Sequence, residues 1–320
     1  MKHFLILSMA FLVLFAQAAL EPAEKITTVG NIVDLSLVGS SIYVGTDAGR
    51  LEVFDIHDGK LHRTITFGKI HDFMDDLVDP KVLSVDATPK GDRLIMLVQR
   101  EGGDRALYLE ENGKQRLLLD AKKSGLQIRK VRFIDSRDLL FSTISNELVR
   151  YRIDQNKIVW RRQLSLSTFS DFVFSPDRTK VASTDESGIV HLVDLATGKM
   201  IENLDKGNKD NVFQLDYKNE HIIACGQDRR AALYDLTTPD SPYIYRSDFM
   251  IYSCALDQKA RQSAFSIDDA SDIGLFDNTT HTQKAILRGH HITPAFIIFL
   301  SEHRLMSADE GNTILFWRLP

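Results

Sequence analysis

One pattern recurs along this chain at a nearly constant spacing: a short apolar run that closes on an acidic or charged position, followed by a turn. "LEVFDIHDGKL" closes at Asp55, "IVHLVDLATGK" at Asp194, "AALYDLTTPD" at Asp235, "DIGLFDNTT" at Asp277 and "TILFWRLP" at Arg318. Two degenerate members, "RALYLEENGK" with Leu109 and "LVRYRIDQNK" with Arg152, fill the gap. Successive anchors at 55, 109, 152, 194, 235, 277 and 318 lie 54, 43, 42, 41, 42 and 41 residues apart. A period of about 42 residues built of short strands is that of a four-stranded propeller blade. The first interval is long by about a dozen residues, close to a single insertion, "GKIHDFMDDLVDP" at 68–80.

Within each period the apolar runs are four to six residues long, β-branched, and punctuated by Asp, Gly, Ser and Pro, which is strand-and-turn chemistry. No segment sustains the i, i+3, i+4, i+7 spacing of an amphipathic helix. The innermost strands read "NIVDLSL", "KVLSVDA", "IRKVRFI", "FSDFVFS", "NVFQLDY", "YSCALDQ" and "PAFIIFL". The expected fold is therefore all-β: a seven-bladed β-propeller of four-stranded antiparallel blades. The last blade has only three strands, at 294–300, 304–308 and 313–319, so "EKITTVG" at 24–30 is expected to supply its outer strand and close the ring.

The N-terminus, "MKHFLILSMAFLVLFAQAALEP", has a short basic start, an apolar stretch from Phe4 to Phe15 and a small-x-small site at Ala16-Gln17-Ala18. That is a secretory signal peptide pattern, and the stretch is shorter than the roughly 20 residues a membrane span requires. We expect residues 1–18 to be a signal peptide cleaved near Ala18, residues 19–320 to be one propeller domain, and the mature protein to reside in a periplasm without a stable membrane anchor. Only Cys225 and Cys254 are present. The repeat puts them on neighbouring blades and on different strands, and leaves their pairing open. The net charge of −5 and the lack of a basic run argue against nucleic acid as a partner.

The last period carries Gly289-His290, Ser307, Asp309 and Trp317, with Arg318 after the tryptophan. In this it resembles the WD-repeat family of β-propellers. The resemblance implies that His290, Ser307, Asp309 and Trp317 form a buried hydrogen-bond chain that pins the blade, with His291 and Glu310 as alternative members. A catalytic Ser/His/Asp set would need an exposed nucleophile and an oxyanion site, and no G-x-S-x-G elbow surrounds Ser307. Other blades keep the turn aspartate (Asp47, Asp185, Asp228) without the histidine or tryptophan.

No metal, haem, P-loop or dinucleotide motif is present, so neither a catalytic residue nor a cofactor or metal site is expected. His57, His62 and His71 accompany Asp58, Asp72, Asp75, Asp76 and Asp79, which we read as a solvated acidic surface rather than a metal site. Blade topology collects residues 68–80, 99–105, 121–125, 227–230 and 268–272 on one face, making Asp72, Asp75, Asp76, Asp79, Arg229 and Arg230 candidate partner-binding residues. The expectation is a monomeric, non-catalytic scaffold that binds another periplasmic protein. In overall architecture the chain also resembles the exported propeller accessory proteins encoded beside periplasmic nitrate reductase in some bacteria, which implies a role in assembling or maturing that enzyme, with a reductase component as partner. The alternative is a propeller enzyme of lactonase or quinoprotein type, with a metal or cofactor in the central channel held by carboxylates such as Asp34, Asp86, Asp171, Asp216 and Asp257.

Overall fold

Alternation decides which side of each strand is buried. In the second strands Ser41–Thr46, Asp138–Thr143 and His221–Gly226 nearly every residue is buried, because both faces of a blade pack against neighbours. The outer strands, such as Lys157–Gln163 ("KIVWRRQ"), are largely exposed. The computed structural model describes residues 18–320. The expected signal peptide lies outside the described residues except for Ala18.

Seven antiparallel sheets form a ring. Blade one comprises Ile32–Val38, Ser41–Thr46, Arg50–Asp55 and Leu61–Thr66. Blades two to six begin with the inner strands Val82–Ala87, Ile128–Phe133, Phe169–Phe174, Val212–Lys218 and Cys254–Leu256. Blade seven contributes Pro294–Ser301, Arg304–Asp309 and Thr313–Arg318. Its fourth strand is Glu24–Thr27, antiparallel to the third with Ile26 opposite Ile314. The ring thus closes through the N-terminal strand, as the three-stranded last period requires.

Seven apolar clusters hold the ring, and each lies chiefly between two adjacent blades. Ile26, Ile32, Leu35, Met306, Ile314 and Phe316 join blade seven to blade one. Ile134, Leu140, Phe169, Phe172 and Val193 join blades three and four, and Ile223, Cys225, Tyr245, Cys254 and Phe265 join blades five and six. No blade has a core of its own, so the apolar driving force falls on the joints between blades.

Two features were not expected from the sequence. Ala18–Leu20 forms a fifth, parallel strand on blade six, pairing Ala18 with Ala285 and Leu20 with Leu287. The segment 18–27 therefore spans from the edge of blade six to the edge of blade seven. The insertion at 68–80 also folds back on itself: Ile70–His71 pairs with Leu77–Val78 as a small hairpin.

Candidate functional site

The central channel is built from the inner strands. In six blades the register shifts by one residue near the start of this strand: after Ile32, Ile128, Phe169, Val212 and Pro294, and at Val82–Ser84 opposite Leu97/Val98. A bulge of this kind re-aims a side chain. The skipped residues, Val33, Leu83, Arg129, Ser170, Phe213 and Ala295, all line a cavity of about 550 Å³ at the channel, with Tyr252 of blade six. Phe213 and Tyr252 stack there, with ring centroids 5.2 Å apart.

Asp34, Asp171 and Asp216 line this cavity, and with Asp86 they accept backbone hydrogen bonds from the next blade. Asp34 Oδ2 accepts from the Val85 N–H at 2.8 Å, and Asp86 Oδ2 accepts from the Phe133 N–H at 2.7 Å. Asp171 and Asp216 repeat the arrangement with Leu215 N–H at 3.1 Å and Leu256 N–H at 2.9 Å. Each carboxylate therefore ties its own inner strand to the next blade's. Asp257 differs: it accepts from Gln262 N–H within its own blade.

Blade three supplies the counter-charges of Asp34 and Asp171. Arg132 reaches past blade two to meet Asp34 with two 2.8 Å hydrogen bonds, and Lys130 meets Asp171 at 2.5 Å. Lys218 pairs with Asp216 at 2.6 Å. Burial alone would raise the Asp34 carboxyl, but the Arg132 charge and hydrogen bonds outweigh it and hold Asp34 below the usual range. Asp86 has no such direct contact with Arg132, and burial pushes it up.

In blade seven His290, Ser307, Asp309 and Trp317 are all buried. The Trp317 indole N–H donates to Ser307 Oγ at 2.8 Å, Ser307 Oγ meets His290 Nε2 at 2.7 Å, and His290 Nδ1 meets Asp309 Oδ2 at 3.2 Å. Asp309 Oδ1 takes the Thr313 N–H at 3.0 Å. The pattern ties the loop before the blade to its second and third strands. It runs through His290 and Asp309, not through His291 or Glu310.

The other blades use the same device with different partners. Asp47 accepts from the Asn31 N–H and side-chain amide at 2.7 and 3.0 Å, and Asp228 from Lys209 N–H and Asn208. Gln99 accepts from Lys81 N–H at 3.2 Å. Blade four has the densest version. Buried Asp185 accepts from Asn146 and Ser165 and meets His191 Nε2 at 3.0 Å, while His191 Nδ1 meets Asn203. Burial opposes the Asp185 charge, but the hydrogen bonds from His191, Ser187 and Ser165 hold the carboxyl far below its ordinary value. His191 escaped the sequence reading because it lies on the third strand, away from the Gly-His position of the repeat.

The loop face carries the hairpin. Asp72 shapes its tip: Oδ1 accepts from the Met74 and Asp76 N–H groups at 2.8 and 3.0 Å, and Asp75 takes a left-handed φ of 66°. This turn presents Phe73, Met74 and Leu77 to solvent at 84, 68 and 58% exposure. Asp75, Asp76 and Asp79 are exposed around them. The hairpin base lies against the turn Glu101–Gly103 of blade two. Across the ring, Arg229 is exposed, whereas Arg230 is turned inward to Asp228 at 3.5 Å and the Gly207 carbonyl at 3.0 Å. The candidate partner residues are thus of two kinds, with Asp72 and Arg230 tied into turns and Asp75, Asp76, Asp79 and Arg229 exposed, Asp75 beside His71 Nδ1 at 3.0 Å and Asp79 4.0 Å from Lys69.

No family model matches this chain, and no curated protein matches it in sequence.

Proposed function

We propose that this protein is a non-catalytic scaffold that docks another protein on its loop face, with the hairpin at 68–80 as the principal contact. The observation that carries the reading is the exposure of Phe73, Met74 and Leu77 on one inserted turn. Single exposed apolar residues are ordinary, but three on a structured protrusion suit insertion into an apolar pocket. The surrounding carboxylates favour a partner whose pocket is rimmed by Lys or Arg.

The buried state of Ser307 and the engagement of the channel carboxylates support a scaffold over an enzyme. The motif in blade seven supports placement among WD-repeat propellers. The N-terminal pattern supports a periplasmic location, and with it a nitrate reductase component as the partner to look for. The test is affinity capture from a native periplasmic extract with wild type and with Phe73→Ser/Met74→Ser. Recovery of a reductase component by wild type and its loss with the variant is the expected outcome. Equal recovery by both moves the interface off the hairpin. Stoichiometric calcium or a bound cofactor in the purified protein would favour the channel enzyme instead.

A further inference from the structure

The two cysteines meet at the joint between blades five and six. Cys225 lies on the second strand of blade five (His221–Gly226) and Cys254 opens the inner strand of blade six. Both are buried, and both are free thiols. Gln214 brings them together. It is the cross-strand partner of Cys225, and its side-chain oxygen accepts the Cys254 N–H at 3.0 Å. Its backbone carbonyl lies 3.6 Å from the sulfur of Cys225 and 3.6 Å from the sulfur of Cys254. Burial pushes the Cys254 thiol well above its usual range.

We propose that Cys225 and Cys254 form a disulfide between blades five and six when the chain folds in the presence of an external disulfide. The thiolate of one cysteine attacks the external disulfide, giving a mixed disulfide and releasing one thiol. The second protein thiolate then attacks the protein sulfur, closing the Sγ–Sγ bond and releasing the other thiol. Two protons and two electrons leave the pair, and the external disulfide is reduced to two thiols. The direction of folding matters. In the finished ring both thiols are shielded, and the raised pKa of Cys254 leaves little thiolate to attack, so exchange there is slow. Before blade six docks, both are open to solvent. The bond has a structural consequence, because Cys254–Leu256 has only three residues and is the shortest of the seven inner strands. Its hold on blade five is the joint a covalent link reinforces.

The experiment refolds the urea-denatured, reduced protein with oxidised glutathione, then denatures it again and alkylates free thiols with iodoacetamide before mass spectrometry. The expected result is a chain that takes up no label, has lost two hydrogens, and yields a cross-linked peptide pair containing Cys225 and Cys254. It should unfold at higher urea than the reduced protein, and a dithiol reductant should abolish the difference. Native reduced protein given the same oxidant should retain both labels for much longer. Cys225→Ala and Cys254→Ala each remove the redox dependence of the midpoint, which separates the bond from any packing change the substitution makes. Two labelled thiols after oxidative refolding, glutathione retained separately on each cysteine, or an oxidised form no more resistant to urea than the reduced one would overturn the proposal.

Discussion

Arg132 and Asp34 are 98 residues apart in sequence and meet as a bidentate guanidinium–carboxylate pair at the wall of the central channel. Both side chains are mostly buried, and Asp34 also holds the Val85 N–H of the next blade. The pair therefore locks blades one, two and three at the channel. Removing one partner leaves a buried charge without compensation, which costs about 3–5 kcal/mol. Arg132→Met should lower stability by that order in urea titration. The double variant Arg132→Met/Asp34→Asn should recover part of the loss. A double variant no better than the single would mean that the arginine acts by packing alone.

Acid should loosen the ring. Asp34, Asp138 and Asp185 are each held below the ordinary carboxylate range: burial opposes the charge, and Arg132, the Arg152–Arg150 pair and the His191 hydrogen bond respectively overcome it. A carboxyl depressed in the folded state contributes stability that is complete above its unfolded value of about 3.9 and lost as pH falls toward its folded value. Asp86 acts with the opposite sign, since its raised folded value gives stability that is lost as pH rises through it. Three groups outweigh one, so the urea midpoint should fall as the pH drops below about 4. Asp185→Asn should flatten that fall, and an unchanged profile in the variant would remove Asp185 from the account.

The hydrogen-bond chain of blade seven should be a matter of stability rather than turnover. Ser307 Oγ joins the Trp317 indole to His290, so Ser307→Ala strands two buried polar groups. The expected cost is about 1–3 kcal/mol, read as a shift in the unfolding midpoint. A fluorophosphonate probe should leave Ser307 unlabelled in the folded protein, and labelling would reassign the set as catalytic.

Ring closure can be tested with one side chain. Ile26 is buried among Ile32, Met306, Ile314 and Phe316, from blades one and seven. Ile26→Ala removes apolar surface from the strand that joins the two ends of the chain in one blade, at a cost of about 2–5 kcal/mol. Deleting residues 19–30 should be far more severe, because it also exposes the edge of Thr313–Arg318. A deletion variant that melts with the wild type would refute closure by this strand.

Legibility followed the range of the interactions. The seven inner strands and the missing outer strand were readable because short apolar, β-branched runs recur between turn residues at a fixed period, as in "PAFIIFL". The His290 set was readable because its four members lie within one blade, at the spacing its resemblance to WD repeats implies. Arg132–Asp34 and the Asn146 and Ser165 contacts of Asp185 were not, because they join different blades and no local pattern marks which blade a side chain will cross to. The parallel strand Ala18–Leu20 was hidden for another reason: three residues, two of them alanine, carry no strand signal of their own. The hairpin was hidden because each of its strands is only two residues long.

The hairpin supplies the last prediction, and its geometry decides which aspartates to change. Asp72 accepts two backbone N–H groups and holds the tip in shape, so replacing it would disturb Phe73 and Met74 as well as charge. Asp75, Asp76 and Asp79 are exposed, and Asp79 meets Lys69 only at 4.0 Å. Asp76→Asn/Asp79→Asn should therefore remove charge while leaving the turn intact, and the unfolding midpoint should stay within about 0.5 kcal/mol of wild type. Long-range attraction speeds encounter and is screened over about 10 Å at 0.1 M salt. Association with the captured partner should slow in this variant at low salt and converge with wild type at high salt. Phe73→Ser should instead speed dissociation at every salt concentration, because an apolar contact is not screened. Surface plasmon resonance at two ionic strengths separates the two effects. A charge variant that changes only the dissociation rate, or a Phe73→Ser that changes nothing, would place the contact on another part of the loop face.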